Sequence, residues 1–76
     1  MSATTNELVA MARLRDLCRT GQAKAVRVGA VVTLEEIAAV CHVTPGAVSL
    51  WERNKRTARG QHALDYLAAL EGLMSR

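Results

Sequence analysis

The sequence predicts an all-α fold, a small bundle of about five helices, on three observations. Apolar side chains recur every three or four residues over 6–19 and again over 60–74. Between these stretches, cap residues, Pro45 and glycines punctuate the chain at helical spacing. The apolar stretch Ala30-Val31-Val32 is short and has no partner strand in the chain. One domain over residues 1–76 follows from the length, and a chain of 76 residues has no room for a deep catalytic pocket plus a scaffold.

Taken in order, residues 1–5 read as a frayed terminus. Asn6 caps a first helix to Arg19 with Ala10, Met11, Leu14, Leu17 and Cys18 on one side, and Gly21 supplies a left-handed end. A second short helix runs from Gln22 to about Val28 and stops at Gly29, followed by Ala30–Val32 as a buried linker. Thr33-Leu34-Glu35-Glu36 opens a third helix with a capping box, burying Ile37, Ala38 and Cys41. Thr44 caps a fourth helix with Pro45 at its first position, carrying Ala47, Val48 and Trp51 inward to about Asn54. A polar loop over 54–59 leads to a last helix over 60–74, with Ala63, Tyr66, Leu67, Leu70, Leu73 and Met74 on one side.

The composition excludes several classes. Half the residues are apolar and 22% are charged, which is globular rather than disordered. No apolar run reaches the roughly 18 residues that span a bilayer, so no membrane partner is expected. Cys18 and Cys41 are too few for a disulfide framework, and a cytoplasmic location keeps them reduced. No metal-ligand spacing, phosphate loop or nucleophile with an adjacent base occurs; no catalytic residue, metal or cofactor is assigned, and an enzyme is not expected. His62 and Asp65 read as a surface pair, and Trp51 as core.

Charge placement points to a polyanion. Arg53, Lys55, Arg56 and Arg59 put four cations within seven residues, with no acid among them. A second group comprises Arg13, Arg15, Arg19, Lys24 and Arg27, and the net charge is +3. A small basic domain with clustered cations suggests nucleic acid.

Residues 33–54 then read as a helix-turn-helix: two short helices, a turn of about three residues, a small Ala38 at the crossing and Val43 filling the turn. The stretch resembles the Cro/repressor-type (XRE-like) helix-turn-helix family. The likeness lies in T-x-E-E-I-A at Thr33–Ala38, V-T-P-x-x-V-S at Val43–Ser49 and W-E-R-x-K-R at Trp51–Arg56, and it covers about residues 22–74. The chain departs from the family at Leu34, where members carry Gln, and at His42, where they carry Gly. It also lacks the customary last helix and has 6–19 as an extra one.

The resemblance implies a lambda-repressor-like bundle and a sequence-specific regulator of double-stranded DNA, a small phage- or plasmid-type repressor in a bacterial cytoplasm. Its recognition helix is Thr44–Asn54. Ser49, Leu50 and Arg53 would reach base edges, Pro45 and Gly46 would permit close approach, and Thr33 would contact the backbone. Lys55, Arg56 and Arg59 are the expected phosphate contacts. An antitoxin-like interaction module on the same fold is the alternative, favoured by the long N-terminal helix. The expected assembly is a monomer or weak dimer, with pairing assisted by DNA.

Overall fold

The computed structural model describes residues 4–76 and is all-helical, as the periodicity predicts. The helices are α1 (Thr5–Arg19), α2 (Gln22–Gly29), α3 (Leu34–Cys41), α4 (Pro45–Glu52) and α5 (Gly60–Met74). No strand occurs among the described residues. α5 is the central helix, packing against α1, α2 and α3, while α3 also packs on α4. The core joins Leu14 and Leu17 of α1, Ile37 and Cys41 of α3, Val48 and Trp51 of α4, and Tyr66 and Leu70 of α5. A domain this small draws its stability from using nearly every apolar side chain in one such cluster.

α1 starts earlier than expected. Thr4, not Asn6, is the N-cap, and its hydroxyl accepts from the Glu7 amide while the Glu7 carboxylate accepts from the Thr4 amide. Two reciprocal bonds outcompete one Asn side chain. Thr4 and Thr5 are therefore ordered parts of the helix start, and residues 1–3 lie outside the described residues. α1 folds back onto α5, where the Arg13 guanidinium donates to the Glu71 carboxylate at 2.6 Å.

Helix ends recur in one form. His42 (φ 58°) and Asn54 (φ 58°) close α3 and α4 in left-handed conformation. In each case the next amide reaches back five residues, Val43 to the Ala38 carbonyl and Lys55 to the Leu50 carbonyl. Gly21 takes the same role after α1 at φ 80°.

α2 differs from the expectation. Gly29 lies inside the helix, and the left-handed residue is Val31, at φ 57°. Its amide bonds to the Val28 carbonyl and the Val32 amide to the Arg27 carbonyl, the same closing pattern. Val31 is 88% exposed, while Ala30 and Val32 are half-buried and Val32 packs on the core, so the linker is buried only in part. At the other end of the chain, Met74 is exposed because α5 outruns the core there.

Candidate nucleic-acid interface

The capping pattern places α3 and α4 as expected. The Thr33 hydroxyl accepts from the Glu36 amide at 3.1 Å, and the Thr33 amide donates to the Glu36 carboxylate at 2.8 Å. The Thr44 hydroxyl accepts from the Ala47 amide at 3.2 Å, with Pro45 at the first helical position. Ala38 is buried where the helices meet, and Val43 packs on the core. Both Thr hydroxyls thus accept one bond at a helix start, which leaves the O–H and a second lone pair for a ligand.

α4 ends at Glu52, two residues before the expected limit. Arg53 and Asn54 belong to the turn that follows, Asn54 as its left-handed residue. Pro45, Gly46, Arg53 and Asn54 are exposed, while Ser49 and Leu50 are half-buried. The outer face of α4 is therefore narrower than the sequence suggests. The Arg53 side chain also folds back, its Nε donating to the Ser49 carbonyl at 3.4 Å.

Beside α4 lies an open groove of about 570 Å³ lined by Ala47, Trp51, Lys55, Arg56, Arg59 and His62. The Lys55 amide bond to Leu50 pins the start of this basic loop, and buried Ala58 anchors its far side. Among the described residues, none of Lys55, Arg56 or Arg59 forms an ion pair. Unpaired cations around one concavity create a local positive field that a polyanion can neutralise.

The second group of cations is mostly consumed. Arg13 pairs with Glu71 and Arg19 with Asp16. Arg27 is drawn inward to Glu52, with side chains 13% and 4% exposed. Two of its nitrogens donate to the Glu52 carboxylate and a third donates to the Val32 carbonyl at 2.8 Å. This hydrogen-bonded partner raises the already high pKa of Arg27, so it stays charged. Only Arg15 and Lys24 of that group make no side-chain ion pair among the described residues.

His62 does not pair with Asp65. Its Nδ1 lies 2.9 Å from the Cys41 carbonyl, and Asp65 instead accepts from Gln61 at 2.9 Å. Trp51 packs against Tyr66 with ring centroids 5.0 Å apart. Sequence reasoning missed the Arg27–Glu52 and His62–Cys41 links because each joins residues more than 20 apart; buried charge gave no local signal.

Among the described residues no three metal-binding side chains converge, and no helix is long and apolar enough to cross a membrane. Burial pushes the Cys18 and Cys41 thiols above their ordinary pKa, which keeps both protonated and unreactive. Across family models, curated proteins and solved structures, nothing matches this chain.

Proposed function

We propose that this protein binds double-stranded DNA sequence-specifically as a small transcriptional regulator, most simply a repressor that occludes a promoter. One observation carries the reading: the exposed start of α4 stands beside a groove whose three cations, Lys55, Arg56 and Arg59, have no carboxylate partner among the described residues. A projecting helix fits a major groove, and flanking cations fit the phosphates on its rim. Direct base readout falls to Ser49, Leu50 and Arg53. Pro45 and Gly46 offer no side-chain donor, so backbone contacts dominate affinity. The monomer, or a dimer formed on DNA, is the species that binds.

The test is a shift assay on random-sequence duplex at several salt concentrations. Each of Lys55→Ala, Arg56→Ala and Arg59→Ala should weaken all sequences similarly and lower the salt slope by about one unit. An unchanged slope in the triple variant removes these residues from the interface. Selection from a random pool then reads specificity: Ser49→Ala and Arg53→Ala should alter the selected motif, at a cost of about 1–3 kcal/mol per direct contact.

A protein-interaction module of antitoxin type has one observation in its favour, the outward Leu8 and Val9 of α1, 60% and 64% exposed. Absence of duplex binding at every salt concentration would support that reading instead.

A further inference from the structure

His62 sits on the wall of the basic groove with one ring nitrogen already committed. A carbonyl oxygen only accepts, so at 2.9 Å from the Cys41 carbonyl Nδ1 must carry its hydrogen in either charge state. That leaves Nε2 as the atom that changes: bare in the neutral ring, a donor in the charged one. Cys41 is the last residue of α3, so its carbonyl is one of that helix's C-terminal acceptors, and the Nδ1 hydrogen satisfies it.

The groups facing this ring are few. Lys55, Arg56 and Arg59 bring positive charge from the loop, and Asp65, three residues along α5 and bonded to Gln61, brings a negative charge to set against it. From α4 come Ala47 and Trp51, neither of which titrates in this range. From α3 the Cys41 thiol is held protonated by burial. A duplex phosphate held along the groove changes this balance, because it screens the three cations and adds an acceptor for Nε2.

We infer that His62 is a proton-gated phosphate contact: with a backbone phosphate of duplex DNA in the groove, the charged imidazole donates its Nε2 hydrogen to that phosphate, and binding takes up one proton. The inference rests on the DNA-binding reading above and extends it to a residue outside the basic loop. The Cys41 carbonyl orients the ring, and the phosphate stabilises its charge. Linkage then requires the converse, that acid strengthens binding.

The experiment measures affinity for a random-sequence duplex at pH 6, 7 and 8 and constant ionic strength. Wild type should bind about three- to tenfold more tightly at pH 6 than at pH 8, since one unit of pKa displacement is worth tenfold. His62→Gln, which retains an N–H for the Cys41 carbonyl, should remove the pH dependence. His42→Asn, which keeps the left-handed turn, should retain the dependence. A flat wild-type profile, or a dependence that survives His62→Gln or disappears with His42→Asn, overturns the inference while leaving DNA binding intact. Failure to bind duplex at any pH overturns both.

A second measurement does not depend on a variant. The His62 ring resonances, followed against pH, should titrate at higher pH with duplex present than without it. Inorganic phosphate at the same ionic strength should leave the titration where it is. An equal displacement by free phosphate would mean that the groove reads small anions rather than a duplex, and would overturn the assignment.

Discussion

Val31 is the residue whose local conformation its side chain suits least. It holds φ 57° with a branched Cβ and is 88% exposed, so packing returns little for the strain. A non-glycine residue in the left-handed region costs about 1–2 kcal/mol, and Asn tolerates it better than Val. Val31→Asn should therefore raise stability by about 1 kcal/mol, read as a higher urea midpoint at unchanged slope. No gain would mean that the closing bonds to Val28 and Arg27 absorb the strain. His42 and Asn54, in the same conformation, are the tolerant residue types that such an end favours. The Thr33 box and the Thr44–Pro45 start were legible in the sequence, because caps are made by residues within a few positions of one another; the Asn54 end was not, since the helix pattern runs on to it. Val31 was not, since nothing in a valine announces a left-handed turn.

Among the elements, the tie between α2 and α4 depends on one ion pair. Glu52 is buried, and the Arg27 guanidinium satisfies its carboxylate while also holding the Val32 carbonyl. Removing one partner strands the other in a poorly solvated place. Glu52→Ala should cost about 2–3 kcal/mol, below the value for a fully enclosed pair because Arg27 keeps some contact with water. The double replacement Arg27→Met with Glu52→Leu should recover most of that loss, since matched apolar side chains leave no stranded charge. A double variant as unstable as Glu52→Ala would show that the pair contributes more than mutual neutralisation. The exposed Arg13–Glu71 contact between α1 and α5 is a different matter; with both side chains about half in water it adds little.

At the scale of the whole molecule, three buried acids set the alkaline limit. Burial raises the pKa of Cys18 and Cys41 above the ordinary 9.0, and that of Tyr66 well above 10.0. The Tyr66 hydroxyl is buried without a hydrogen-bond partner, which compounds the cost of ionising it. Because each folded pKa lies above its unfolded value, the contribution is complete below the unfolded pKa. It begins to be lost as pH passes about 9 to 10 and goes on falling up through the raised folded values. Urea midpoints should thus fall steadily above about pH 9, and a flat profile to about pH 10.5 would contradict this.

The molecule measures 35 × 24 × 20 Å, so on the proposed reading one copy would cover no more than a single half-site of about one DNA turn. Met11, Leu14 and Leu17 of α1 are spent on the core, which leaves Leu8 and Val9 as the large apolar side chains of α1 that face outward; the other exposed ones among the described residues, Val28, Val31, Val40 and Met74, belong to other segments. That is too little apolar surface for a stable pair. Sedimentation at micromolar concentration should give a monomer; a stable dimer abolished by Val9→Glu would make α1 an interface instead.

The sequence by itself determined the helix count, the order, most caps and the inward faces, because these follow from spacing within a turn or two. It also marked the basic loop that flanks α4. Only the tertiary structure decided which cations remain free, since pairing depends on what lies opposite. Arg27 vanished into Glu52 and Arg13 onto Glu71, whereas Lys55, Arg56 and Arg59 kept their charge for a partner. His62 likewise changed role, from neighbour of Asp65 to wall of the groove, when folding brought the end of α3 beside it. Short-range spacing is written in the chain; a contact between distant residues exists only once the core has set where their helices cross.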